Sequence, residues 1–459
     1  MNSEIKRNFL YAFIAQGISL IVSSLTNLLL PKYVSVLNFS YWQLFIFYGS
    51  YITCLSLGLN DGVYLRYGGL REDNLDRVSI KSQYVFGILF QVILGILIGF
   101  VWIACEKSVE RRLIIVLVIV YFFIYTFQSY LSFIFQAINQ TNVFSKSTIL
   151  QRIIFLVFFF LCLVRNDNNI YEYIIIYIFA LACALFYLTL KINHIFSKAE
   201  INLILGFKQA IKSMKLGISL MFANICSMLI LGVGRQIIDV RWGIVAFGKI
   251  SFSLTLMNFF LTFIMQVGLV LFPALRRLDR KKLKKNYILY NTLLYRLLPL
   301  IYIGYLPISF VLKIWLPQYT SSIYYLSIIL PICFFDSKME LVGNTFFKVL
   351  NKQVMLLKIN VITIILSVAL GLIGAYLVKN MDFVILGLVV AIIFRSLFAN
   401  YVLSSDLGVS LLRIDILDIL LAAIFIISTN FLTWWLSLII LIISYLCRLF
   451  VLKKQKLKM

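Results

Sequence analysis

The chain has 459 residues, 62% of them hydrophobic and only 13% charged, with a mean hydropathy of +0.99. A water-soluble domain carries about 45–50% apolar and about 25% charged residues, so this chain cannot cover itself with polar surface in water. That excludes a soluble enzyme and a nucleic-acid-binding domain, and the net charge of +24 reads as a topology signal and an attraction to anionic membrane lipid.

Taken in order, apolar runs fall at 8–30, 39–60, 83–105, 113–136, 147–165, 171–190, 215–238, 242–272, 287–312, 322–343, 355–378, 383–404, 416–431 and 433–452. Each is near the length that crosses a bilayer, about 20 residues, giving about fourteen spans. They are expected to be helices, because unpaired backbone is too costly in lipid and no ten-residue alternation points to a barrel. Lys6 and Arg7 precede the first run, which lacks a small-residue cleavage site and so reads as retained. With the N-terminus inside, most of the 42 Lys and Arg fall on inner loops or tails, which predicts two cytoplasmic termini. The densest basic stretch is Arg276, Arg277, Arg280, Lys281, Lys282, Lys284 and Lys285, an inner anchor or a lipid-headgroup contact. Segment 191–214 carries Ile201, Leu205, Lys208, Ile211, Lys212 and Lys215, the pattern of an amphipathic helix lying on the membrane. His194, the lone histidine, is placed in that loop, and seven scattered cysteines without a CxxC indicate neither disulfides nor zinc.

A weak internal repeat is present. Gly58-Leu59 precede Arg66 as Gly268-Leu269 precede Arg276, an offset of 210. Phe135 and Asn139 match Phe347 and Asn351, an offset of 212. Each match pairs a span with the one six later, so the two halves insert with the same orientation. The expected organisation is an N-lobe of six helices (1–190), a linker (191–214), a C-lobe of six helices (215–405), and two C-terminal helices with a basic tail (406–459). A substrate path is expected where two such repeats meet.

LGLNDGVYLRYGG after the second span, FQAINQTN after the fourth and GRQIID at the end of the seventh resemble the polysaccharide-biosynthesis flippases. These are the Wzx-type O-antigen and capsule repeat-unit transporters of the MATE-like MOP superfamily. The resemblance implies an all-α, two-lobed protein of the bacterial inner membrane, with twelve core helices plus two. It also implies transfer of undecaprenyl-diphosphate-linked oligosaccharide to the outer leaflet by alternating access. The implied partners are that lipid-linked oligosaccharide, anionic lipids, a polysaccharide polymerase and glycosyltransferases. Family members often carry an acid–Arg pair near the end of span seven; here Gly234 precedes Arg235, and the acid, Asp239, follows four residues later.

Charge inside a bilayer is expensive, so every such residue is a candidate. Arg395, Arg296 and Lys249 could hold a diphosphate from a wet cavity, or could be ion-paired or snorkelling to the interface. Arg235 and Asp239, four apart, share a helical face, as a structural pair or as cavity residues. Asp336 and Glu340 also share a face while Lys338 points away; two such carboxylates would suit coupling to H+ or Na+, or pairing between helices. Asp61 and Arg66, among Gly58, Gly62, Gly68 and Gly69, read as a gate or a tight turn. Gln16, Ser19, Ser23 and Asn27 form one polar stripe on the first span, lining a sugar path or bonding neighbouring helices. No catalytic constellation, metal motif or large outer loop is present, which argues against a polymerase. Bases outnumber acids at mid-depth, which favours an anionic substrate over the drug cations of a MATE antiporter.

Overall fold

The computed structural model describes the backbone of all residues except 1–2, 71, 166–167, 198, 277–279, 351, 410–411 and 457–459. The side chains of 3–6, 9, 220, 263–276, 280–281, 412 and 451–456 also fall outside the description. Among the described residues the regular structure is entirely helical. The helices are α1 (Ser3–Tyr33), α2 (Val36–Tyr51), α3 (Leu59–Tyr67), α4 (Arg77–Cys105), α5 (Val109–Ala137), α6 (Thr141–Val164), α7 (Ile170–Phe196), α8 (Leu203–Trp242) and α9 (Ile244–Arg276). They continue with α10 (Arg280–Leu297), α11 (Leu300–Trp315), α12 (Thr320–Lys338), α13 (Thr345–Val349), α14 (Gln353–Leu372), α15 (Met381–Leu407), α16 (Leu412–Phe431) and α17 (Trp434–Lys456).

Eleven of the described helices are long and apolar enough to cross a membrane, or twelve if the bent pair α2–α3 is one span. The fourteen expected runs are consistent with this: two more lie on α12 and on the shorter apolar helix α17. Large apolar side chains stand exposed along them, among them Phe100 at 75% and Val164 and Phe431 at 82%. Such a surface is stable only against lipid. The chain is a multi-pass membrane protein.

Two compact units divide at Ile225/Cys226, inside α8. In the first unit α5 packs on α2, α3, α4 and α7, and α6 on α1 and α7. In the second, α12 packs on α9, α11 and α15, and α14 on α15, with Ser367 of α14 donating to the Ile230 carbonyl of α8 at 2.7 Å. The same pairing scheme is used twice, as a parallel six-helix repeat requires.

The two repeated motifs behave differently. At the ends of α5 and α13 the backbone closes alike: the Gln140 amide donates to the Phe135 carbonyl and the Lys352 amide to that of Phe347, each at 2.8 Å. Phe135 and Phe347 are both fully buried. Asn139 takes φ +62°, a left-handed position that asparagine tolerates; Asn351 lies outside the described residues. The other match is not reproduced. Leu57 and Gly58 take φ 48° and 75° and bend the chain by 57° into α3, whereas 268–276 continue α9 unbroken. The first copy reads Asn60-Asp61-Gly62 where the second reads apolar Val270-Leu271-Phe272, which extends a helix instead of restarting one. The side chains of Gly268, Leu269, Arg276, Arg277, Arg280 and Lys281 lie outside the described residues.

Segment 191–214 is not a separate surface helix. α7 runs to Phe196, so His194 is helical, with Nε2 at 2.8 Å from Glu72 Oε1. α8 then begins at Leu203 and continues without interruption. Its buried positions as far as 217 are Gly206, Ala210, Ser213 and Gly217, all small and three or four apart, while Lys208, Lys212 and Lys215 are exposed. A stripe of small residues packs this start of α8 on protein, while Ile201 and Ile204 stay exposed.

Candidate functional site

The second unit holds most of the buried charge. Arg395, in the middle of α15, is 2% exposed. Its Nη1 donates to Asp336 Oδ1 at 3.2 Å, its Nε to Asn360 Oδ1 at 2.9 Å and its Nη2 to Ser227 Oγ at 3.2 Å. The partners come from α12, α14 and α8, so one guanidinium ties four helices together. A planar fork with five N–H donors can satisfy several acceptors at once, which lysine cannot do.

A second buried node lies on the other side of α12. Asp336 and Lys338 are two residues apart, about 200° around the helix, so they point to opposite neighbours. Lys338 Nζ donates to Asp415 at 2.6 Å and to Asp418 at 3.0 Å, three apart on α16. Asp418 also pairs with Arg448 of α17. The Arg448 guanidinium lies 3.6 Å from the Tyr295 ring centroid. Asn400 Nδ2 donates to both oxygens of Asp415, at 2.9 and 2.7 Å, while Asn400 Oδ1 accepts from the Tyr287 hydroxyl. Two cations and two carboxylates thus balance, and they fasten the C-terminal helices to the six-helix repeat.

Asp336 and Glu340 do not form an isolated carboxylate pair. Asp336 carries the Arg395 bond, and a π-helical turn over Met339–Asn344 begins between them, with Glu340 half-buried in it. Arg235, Asp239 and Lys249 flank the α8–α9 turn, which Gly243 makes at φ 83°. Arg235 donates to Ser251 Oγ at 3.0 and 2.8 Å and lies over the Phe247 ring; Asp239 is 3% exposed; Lys249 is half-buried, 3.5 Å from Ser321 Oγ. Arg296 stands in the last turn of α10 with an exposed side chain.

In the first unit Gln16 and Ser23 are exposed, and Asn27, half-buried, donates to Ser23 Oγ at 3.3 Å, a bond inside the stripe. Asp61 and Arg66 sit on α3, and Arg66 donates to the Gln209 side chain and, at 3.4 Å, to its carbonyl. The glycines around them serve contact between backbones. A Cβ on Gly62 would meet the Ser213 carbonyl oxygen at 1.8 Å, and one on Gly217 the Gly58 carbonyl oxygen at 2.0 Å. Gly58–Gly62 and Ser213–Gly217 are small-xxx-small pairs, the spacing that lets two membrane helices touch.

The predicted site residues therefore fall into separate groups: Arg395 and Asp336 are in direct contact, whereas Lys249 points to the side of α9 away from Phe247 and Ser251, the residues that meet Arg235. Sequence reasoning missed Asn360, Ser227, the Asp415–Asp418–Arg448 cluster and Arg152. The last two were detectable by the same rule that selected Arg395: charge within an apolar run.

No family model and no curated protein matches this chain. Solved structures do. The lipid II flippase MurJ, in an inward closed conformation, aligns with a TM-score of 0.66 at 15% identity, covering 98% of this chain and 100% of that one. An inward-facing multidrug resistance MATE family transporter of the MOP superfamily gives 0.66 at 12% identity, covering 85% and 94%. A Vibrio cholerae MATE transporter gives 0.55 at 14%, covering 88% and 97%. The chain has the MATE-like fold. Its buried ionic cores lie within that fold, and α16 and α17 are bonded into it.

Proposed function

We propose that the protein is a MATE-like flippase that moves an undecaprenyl-diphosphate-linked oligosaccharide repeat unit from the inner to the outer leaflet of the bacterial cytoplasmic membrane. One observation carries this reading: the likeness to a lipid II flippase spans 98% of this chain and all of that one, against 85% and 88% of this chain for the two MATE transporters. The excess of bases over acids fits an anionic cargo. Exposed Gln16 and half-buried Asn27 suit contact with sugar hydroxyls, and Arg235, Arg296 and Lys249 suit the phosphates. Asp336, Glu340 and Asp239 are proposed to take part in coupling to H+ or Na+, with Asp61 and Arg66 acting at a gate. Both termini are placed in the cytoplasm, with the polymerase and glycosyltransferases of the same surface polysaccharide as partners.

The test is reconstitution in liposomes with a fluorescent polyprenyl-diphosphate oligosaccharide. Protein-dependent loss of the label to a membrane-impermeant quencher supports the reading. Uptake of a cationic dye in exchange for H+ or Na+, with no movement of the lipid, would establish instead an antiporter, the reading that the acids Asp336 and Glu340 favour.

A further inference from the structure

Among the described residues, every buried cation of the second unit has its acid: Arg395 has Asp336, and Lys338 and Arg448 share Asp415 and Asp418. The first unit contains a counterexample. Arg152 is the twelfth of the 24 residues of α6, the centre of an apolar span. It is half-buried, and its Nε is shielded from solvent with no hydrogen-bond partner. Among the described residues no acid pairs with it. The sequence explains why. α6 contains no Asp or Glu, and the helices packed on it, α1, α5 and α7, carry acids only in their first turns, at Glu4, Glu110 and Glu172. A cation at that depth costs several kcal/mol unless it is paired or faces water.

The neighbouring helix supplies the rest of a site. α1 and α6 run side by side in register: Asn8 donates to the Asn139 carbonyl, Lys146 lies over the Tyr11 ring, and the Ser35 amide donates to Asn168. These three contacts join residues 131, 135 and 133 apart. The same offset sets Arg152 level with residues 17–21 of α1, between Gln16 and Ser23 of the polar stripe.

We propose that Arg152, with the polar stripe of α1 beside it, binds a phosphoryl anion, the diphosphate of the lipid-linked cargo. This assignment rests on the flippase reading and deepens it. The fork of Arg152 holds two phosphate oxygens, and Gln16 and Ser19 contribute neutral donors. The anion brings from outside the negative charge that α1, α5, α6 and α7 do not encode at this depth.

The test measures thermal stabilisation of the purified full chain in nanodiscs by three probes: geranylgeranyl diphosphate, inorganic pyrophosphate and geranylgeraniol. Geranylgeranyl diphosphate should stabilise the wild type, and Arg152→Gln should weaken its binding by about tenfold or more. Arg152→Lys should lose several-fold, keeping the charge without the fork. Stabilisation by pyrophosphate as well assigns the site to the phosphoryl group alone; stabilisation by the lipid only adds a contribution from the chain. Equal binding by the wild type, Arg152→Lys and Arg152→Gln overturns the site and leaves the flippase reading standing. Should Arg152→Gln not accumulate, unchanged affinity in Arg152→Lys overturns it. A wild type that ignores both diphosphates but is stabilised by tetraphenylphosphonium overturns the flippase reading itself.

Discussion

The two units hold an added piece of helix by opposite means. The first unit clamps the start of α8 against α3 and α4 by removing side chains: Gly58 and Gly62 meet Ser213 and Gly217, and Gly206 meets the Ser82 carbonyl. The second clamps α16 and α17 by adding charges, through Lys338, Asp415, Asp418 and Arg448. Lipid offers no hydrophobic drive for one apolar helix to leave it for another, so close backbone approach and polar contact are the two available sources of affinity. They fail differently. A charge joint is costly when half removed and tolerant when wholly removed, whereas a backbone joint has no substitute residue to accept.

The largest effect is expected from halving the charge joint. Lys338→Ala leaves Asp415 and Asp418 buried with a single cation, and should cost about 3–5 kcal/mol, seen as a steep loss of monodisperse protein on heating. Replacing Lys338, Asp415, Asp418 and Arg448 together by Met and Leu should recover most of that loss, because apolar residues of similar volume often match a buried ionic cluster. No recovery would mean that the cluster specifies the geometry of α16 and α17 rather than merely balancing charge. Arg395 offers the same contrast within one pair. Arg395→Ala should be severely destabilising, while Arg395→Asp with Asp336→Arg should restore part of the stability if pairing dominates. Failure of the swap, with Asn360 and Ser227 intact, would show that the fork geometry matters more than the charge pair.

The backbone joint should respond less but without remedy. Gly62→Ala or Gly217→Ala places a methyl group on a carbonyl oxygen of the facing helix. Overpacking of that kind costs about 1–3 kcal/mol when the neighbours can move, and more here, where the neighbour is backbone. Shortening side chains nearby should not rescue it. A variant as stable as the wild type would mean that α3 and α8 separate without loss.

These contrasts also explain what was legible in the sequence. Spans are read from hydropathy, a local property, so the helical class and the two-lobed repeat were accessible. The break at Gly58 was visible as a glycine and asparagine cluster in an apolar run. The direction of Lys338, away from Asp336, followed from helix periodicity; its partners Asp415 and Asp418 did not, because nothing local joins residues 77 and 80 positions apart. The continuity of 203–214 with the rest of α8 is carried by a small-residue stripe, which hydropathy does not register. Charge in a span marks Arg395 equally as a phosphate ligand or as one half of an ion pair, and its surroundings engage all three guanidinium nitrogens; Arg152 obeys the same rule of charge in a span. Depth in a span identifies a costly residue, but only the neighbouring helices tell whether the cost is already met.

The smallest effect concerns the platform on which the backbone joint rests. α4 is capped by Asp76, whose carboxylate accepts from the Ser79 amide at 3.0 Å and from the Ser79 hydroxyl. One turn later Lys81 Nζ donates to the Ala199 carbonyl, and Ser82 Oγ accepts from the Asn202 amide, holding the chain as it enters α8. These hydrogen bonds, the Ser79 hydroxyl first and its amide second, hold the Asp76 carboxyl below its ordinary value. The group binds its proton less readily folded than unfolded. Its contribution is therefore complete above the unfolded value, near 4, and is lost as pH falls through the folded one. Asp76→Ala should cost about 1 kcal/mol at neutral pH, the usual loss for an N-cap, and the difference from wild type should vanish in acid. Asp76→Asn should keep much of the cap and remove that pH dependence. Hydrogen exchange of the first turn of α4 should rise in the alanine variant while α16 and α17 stay unchanged; faster exchange in both places would mean that the two joints are not independent.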